Sequence, residues 1–215
     1  MACPGDAPSD LDRALEARYS PLATAAGSLS CGSVLEHAAP RAGETLVDLG
    51  CGRGRELLRA AGAVGPGGRA IGVDANEAMI AGASALAAGL AQVRLVRADV
   101  ATVPLPDGET DVVVSNCAIN HAPDKAAVYR EVHRLLRPGG RFVVSDVVSE
   151  STLPDSVRSD PAAWAACYGG AIPEADYLAA ITAAGLADVS VVRRTAPYEK
   201  GGVRVLSITV KGRRP

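Results

Sequence analysis

Three aspartates and five cysteines are the side chains of this 215-residue chain whose types and placing suggest chemistry. Asp48 lies in the apolar run Thr45-Leu-Val-Asp-Leu49, two residues ahead of Gly50-Cys-Gly-Arg-Gly54. Asp74 ends Ala70-Ile-Gly-Val-Asp74, and Asp99 follows Val93-Arg-Leu-Val-Arg97. A glycine loop after an apolar run can cradle a phosphate or fit closely around another ligand. The dinucleotide fingerprint is broken here, because the third glycine position counted from Gly50 is Arg55. Asp48 would also repel a pyrophosphate. It suits a cationic ligand, or an ammonium group held through a water. Asp74 is placed to accept from two ribose hydroxyls, and Asp99 from the amino group of an adenine. Three carboxylates at three successive strand ends suit a nucleoside that carries an amino acid and no phosphate. The competing reading is that Asp74 and Asp99 only cap the helices that follow.

The cysteines are Cys3, Cys31, Cys51, Cys117 and Cys167. An odd number does not make a disulfide framework. No basic-then-apolar leader opens the sequence, so a cytoplasmic location with reduced thiols is expected. With 22 basic and 24 acidic side chains the net charge is −2, which argues against a binder that neutralises nucleic-acid phosphates. The longest charge-free run, Ala78 to Val93, is shorter than the ~20 residues of a membrane span. Seven aromatics leave little ring surface to stack a planar organic substrate.

These side chains need a scaffold, and the pattern supplies one. Residues 1–40 form an N-terminal tail and short lid segment with one helix expected over Asp10 to Tyr19, residues 41–150 a nucleoside-binding core, and residues 151–215 a substrate-binding addition with two closing strands. In the core, apolar runs at Thr45–Leu49, Ala70–Asp74, Val93–Arg97, Asp111–Ser115 and Arg141–Asp146 alternate with helical stretches. Asp124 can cap a helix whose Val128, Val132, Leu135 and Leu136 share one face, and Arg137-Pro-Gly-Gly140 stops it. Strands alternating with helices predict an α/β, doubly wound, mostly parallel sheet with ligands at the carboxyl ends of its strands.

Val47-Asp-Leu-Gly-Cys-Gly-Arg-Gly54, Gly72-Val-Asp74, Ala98-Asp99 and Leu136-Arg-Pro-Gly-Gly140 resemble the motifs of class I S-adenosylmethionine-dependent methyltransferases. The resemblance implies a seven-stranded Rossmann-like fold and S-adenosylmethionine as cofactor. Gly50, Gly52 and Gly54, with Asp48, Cys51 and Arg53, would surround its methionine end. Asp74, with Ala75 and Met79, would hold the ribose, Asp99 and Val100 the adenine, and Asn116 would sit near the reacting methyl.

Asn116-Cys-Ala-Ile-Asn-His-Ala-Pro-Asp-Lys125, Trp164 with Cys167 and the Gly170-Ala171 pair, Cys31-Gly32, and the closing Ser207-Ile-Thr-Val-Lys-Gly212 narrow the likeness. Together they resemble the arsenite methyltransferases over about residues 28–212. That resemblance implies Cys31, Cys117 and Cys167 as three ligands of trivalent arsenic. Soft thiolates match a thiophilic centre. Three sulfurs on a trigonal pyramid leave the arsenic lone pair free to attack a sulfonium methyl in line, without a general base. A thiol reductant such as glutathione or thioredoxin is the implied partner. Cys51 reads as a small buried residue of the loop, and Cys3 as incidental. His121 reads as a satisfied histidine at a helix start, or as the base of an O-, N- or C-methyltransferase of a small metabolite. A metalloid binder without catalysis is the third alternative. His37 and His133 fall on expected helices with no constellation around them.

Overall fold

A computed structural model describes residues 8–23 and 34–215. Its sheet contains β1 (Thr45–Leu49), β2 (Arg69–Asp74), β3 (Val93–Arg97), β4 (Thr110–Asn116), β5 (Leu136–Ser149), β6 (Ala187–Arg194), β7 (Tyr198–Lys200) and β8 (Val203–Arg213). The helices are α1 (Asp10–Tyr19), α2 (Val34–Ala38), α3 (Arg55–Val64), α4 (Glu77–Leu86), α5 (Lys125–Leu135), α6 (Asp155–Arg158), α7 (Pro161–Ala165) and α8 (Glu174–Ala183). The strand order is β3-β2-β1-β4-β5-β8-β6, with β7 paired to β8. β1 to β5 run parallel, and β8 pairs antiparallel with β5 and β6.

All five residues of β1 are buried, as expected for a strand covered on both faces. Its side chains alternate between two cores. Val47 and Leu49 join Tyr129, Val132 and Phe142 on one face, while Leu46 joins Leu57, Ala60 and Val64 on the other. Because β1 pairs with β2 on one side and β4 on the other, the strand order reverses beside its carboxyl end. That reversal opens the crevice in which ligands of such sheets bind.

The structure departs from the sequence reading at the edges. The sheet has eight strands rather than seven, because the short β7 folds back on β8 as a hairpin. β5 starts at Leu136, with Arg137-Pro-Gly-Gly140 inside it rather than forming a separate turn. Leu136 pairs with Thr110 there, before an irregularity between Thr110 and Val112 resets the register. The closing segment therefore supplies three strands where two are expected. Asp124 caps α5 as expected, its side chain accepting from Ala127 N–H at 2.9 Å. Among the described residues no helix is long and apolar enough to cross a membrane.

Candidate active site

The glycine loop leaves β1 with Gly50, Gly52 and Gly54 all at positive φ. Gly50 and Cys51 N–H both donate to the Val73 carbonyl, at 2.8 and 2.9 Å, tying the loop to the end of β2. Gly50 admits no side chain: a Cβ there would lie 2.1 Å from the Ala118 Cβ. The loop thus rests directly on the residue after Cys117. Gly52 is different, with Met79 Sδ at 4.0 Å the nearest atom to an added Cβ, so the loop leaves an open cradle on that side.

Asp74 organises this cradle. Its Oδ2 accepts from Gly52 N–H at 2.8 Å and its Oδ1 from Asn76 N–H at 2.9 Å. Burial raises its pKa, while these two backbone donors hold it down. The helix cap itself falls to Asn76, whose side chain accepts from Met79 N–H at 3.0 Å. Asp74 is therefore not the cap of α4. Asp99 is exposed and accepts from Ala101 N–H at 2.7 Å within a turn; no helix lies between β3 and β4, so it caps none. Asp48 is buried in β1, and burial, then Glu56 and Asp74, push it up to about 7. Met79 and Arg53 are buried, Val100 and Asn116 half-buried, and Ala75 exposed. Cys51 is buried, with its thiol pushed well above the usual range by burial, which fits a packing role.

Of the implied arsenic ligands, Cys31 lies outside the described residues, as does Cys3. Cys117 and Cys167 are two of only four non-glycine residues at positive φ among those described, at 57° and 66°. Such strained backbone persists where surrounding contacts enforce it, and it clusters at functional sites. For Cys117 the enforcing contact is its N–H, which donates to Ser145 O at 2.8 Å beyond the last pair of β4 and β5. For Cys167 the N–H donates to Trp164 O at 2.9 Å. The fully buried Asn120 joins the two segments, its Nδ2 donating to Val147 O at 2.7 Å and to Cys167 O at 3.3 Å. Gly169 and Gly170 follow Cys167 because the chain passes against Trp164 and Asn120, where a Cβ on Gly170 would meet Asn120 O at 2.0 Å. Trp164 in turn lies under Lys125, with Nζ 5.3 Å from the ring centroid.

The expectation of reduced thiols is corrected at one of these positions. Cys117 is disulfide-bonded, whereas Cys51 and Cys167 are free. Two thiols form such a bond once their Cβ atoms lie within ~3.5–4.5 Å, a proximity set by tertiary structure and invisible to cysteine counting. In this state the Cys117 sulfur is not available to a soft ligand.

Cys167 meets two partners that sequence reasoning did not assign to it. Tyr19 Oη lies 3.2 Å from its sulfur and 3.1 Å from His121 Nε2, and that nitrogen is 3.6 Å from the sulfur. Burial raises the Cys167 pKa, so the free group is a thiol. Burial, then the Cys167 sulfur, lift Tyr19 above the usual phenol range. The reading of His121 as a satisfied helix-start histidine holds at Nε2, which meets the Tyr19 hydroxyl. His121 ends a 3-10 turn (Ile119–His121) ahead of α5, and its buried Nδ1 makes no hydrogen bond among the described residues. Burial lowers its pKa to about 4, with the Trp164 backbone opposing that shift, so the ring is neutral near pH 7. Tyr19 carried one available signal: it ends an expected helix in a chain with only seven aromatics.

Residues 40–196 match the model of the methyltransferase domain. The chain belongs to that family. S-adenosylmethionine is the cofactor of this methyltransferase domain, and the Asp74-anchored loop with its open side at Gly52 fits such a group. The chain is 35% identical over 198 residues to an arsenite methyltransferase of Halobacterium salinarum, covering 87% of this chain and 51% of that protein. A nocamycin O-methyltransferase of Saccharothrix syringae is 41% identical over 116 residues, covering 53% of this chain and 41% of that one. The crystal structure of an arsenic(III) S-adenosylmethionine methyltransferase from Chlamydomonas reinhardtii superposes with a TM-score of 0.72 at 28% identity, covering 95% of this chain and 74% of that one. The chain thus spans about half the length of the curated relatives it matches.

Proposed function

We propose that the chain methylates trivalent arsenic, as arsenite or methylarsenite, held by the thiolates of Cys31, Cys117 and Cys167. The observation that carries this reading is the Asn120 clamp, which links the segment of Cys117 to the backbone of Cys167 across 47 residues of sequence. Both cysteines are held there in strained left-handed backbone. A protonated Cys167 suits the binding step: thiol plus an As–OH group gives an S–As bond and water, with no net change of charge. The Cys117 disulfide must first be reduced, which gives a thiol reductant such as glutathione or thioredoxin its place in the reaction. Two electrons from the reductant convert that disulfide to two thiols.

When bound, the cofactor supplies an electrophilic methyl group on a sulfonium. Asp74 would accept from the ribose hydroxyls, and Asp99 and Val100 would border the adenine. Asp48 is buried in β1 two residues ahead of the glycine loop, where a carboxyl group suits a cationic ligand better than a phosphate. Asn116, at the carboxyl end of β4, would border the reacting methyl. The three sulfurs leave the arsenic lone pair as the nucleophile, so no side chain has to remove a proton during transfer.

The O-methyltransferase relative supports a second reading, in which His121 is the base for a small organic acceptor. The geometry favours the first, because the His121 Nε2 is engaged by the Tyr19 hydroxyl and turned to a thiol. His121→Ala separates the two. Loss of a general base costs ~10²–10⁴-fold, whereas on the thiol reading initial rates of arsenite methylation at saturating cofactor fall by less than about tenfold. A fall of a hundredfold or more, with arsenite affinity unchanged, would contradict the first reading, since transfer to the arsenic lone pair needs no base.

A further inference from the structure

We infer that α1 is a strap coupling the cofactor end of the site to Cys167, with Tyr19 as a positioning residue for that sulfur; the inference rests on Cys167 being an arsenic ligand. At one end of the strap, the Tyr19 hydroxyl bridges Cys167 Sγ and His121 Nε2. The Tyr19 and His121 rings meet edge to face at 5.4 Å, so the phenol is located by its ring as well as its hydroxyl. About one turn away, Asn76 Nδ2 donates to Glu16 Oε2 at 3.0 Å and to Ser20 Oγ at 2.9 Å. Asn76 is the residue whose N–H is bound by Asp74. A single side chain therefore connects the proposed ribose carboxylate to the helix that carries Tyr19.

No residue of α1 is buried. The helix packs against α7, just ahead of Cys167, and its polar contacts lie at its carboxyl-terminal end. An element held in this way has little apolar burial to fix it independently and opens at low free-energy cost. Its seating then depends on both anchors at once. A ligand that settles Asp74 and the Asn76 turn favours the seated helix, and the seated helix presents the Tyr19 hydroxyl to Cys167. A sulfur bonded to arsenic keeps a lone pair to accept from that hydroxyl, so the contact survives ligand binding. Coupling of this kind is reciprocal: cofactor tightens the arsenical and the arsenical tightens the cofactor by the same factor.

Calorimetric titration of the phosphine-reduced full chain with arsenite, with and without saturating S-adenosylhomocysteine, tests the coupling. In the wild type, S-adenosylhomocysteine is expected to tighten arsenite binding about fivefold or more. Tyr19→Phe keeps the ring and should bring that ratio close to one. Asn76→Asp keeps the oxygen that caps α4 but turns a donor into a carboxylate facing Glu16, and should do the same. Adding Glu16→Gln restores a donor between those positions and should recover the ratio. A wild-type ratio of one, or an unchanged ratio in both single variants, overturns the strap while leaving the thiol reading intact. Absence of arsenite binding to the wild type under either condition overturns the thiol reading itself and the strap with it.

Discussion

Cys117→Ser and Cys167→Ser are each expected to reduce arsenite methylation by at least a thousandfold while changing S-adenosylhomocysteine affinity by less than about threefold. A serine hydroxyl is close in size to a thiol but is a hard donor, poorly matched to a thiophilic centre. Loss of one sulfur also leaves arsenic with a hydroxide ligand and without the pyramid that directs its lone pair. The two effects act at the transition state and in binding alike, so kcat/KM should fall further than either parameter alone. Cofactor affinity is the internal control. The Cys167 sulfur meets Tyr19 and His121, away from the hydrogen bond that anchors the glycine loop to Asp74, so a variant that binds S-adenosylhomocysteine normally has kept its core. Cys117→Ser also removes the disulfide at that position, so its activity on any other acceptor should no longer respond to reductant. Initial rates with and without a phosphine reductant, together with calorimetry, check all three points.

Asp74→Ala carries the second large effect, on cofactor binding. Its carboxylate accepts two backbone N–H groups in the free protein and would accept two ribose hydroxyls when loaded. Hydrogen bonds to a charged group contribute ~1.5–3 kcal/mol each. Removal of both hydroxyl contacts and of the Gly52 anchor should weaken S-adenosylmethionine binding by ~10²–10³-fold, since ~1.4 kcal/mol is tenfold in affinity. Asp74→Asn can accept through only one oxygen and should fall between the two. If the Asp74 carboxylate only held the Gly52 and Asn76 N–H groups, Asp74→Ala would lower thermal stability and leave the affinity of the folded protein little changed. Equilibrium binding and a melting curve on the same samples separate them.

The parts of the protein that were legible in the sequence are those governed by local pattern. Thr45–Leu49 reads as a doubly covered strand because every residue is apolar or tolerates burial, and the structure buries all five. Asp124 announces α5 because a side-chain cap acts within three residues. Asp74 stands out by position alone, at the end of a strand next to a glycine loop. What was hidden depends on contacts between distant segments. Tyr19 lies 148 residues from Cys167 in sequence and reaches it through the packing of α1 on α7. Asn120 is quoted in the arsenite-methyltransferase motif, yet its clamp on Cys167 O becomes visible only when β5 brings Val147 alongside. The Cys117 disulfide is hidden for the same reason, whereas β7 is a local hairpin on β8 whose three residues, Tyr198, Glu199 and Lys200, are too few and too polar to show a strand pattern.

The most direct test of the arsenic assignment is speciation of the arsenic after the phosphine-reduced chain is incubated with S-adenosylmethionine and arsenite. Methylated arsenicals are expected, formed with S-adenosylhomocysteine in equal molar amount per methyl group. They should be absent when the chain is left oxidised at Cys117. Recovery of arsenite unmethylated from a chain that binds S-adenosylmethionine and is fully reduced would contradict the arsenic assignment.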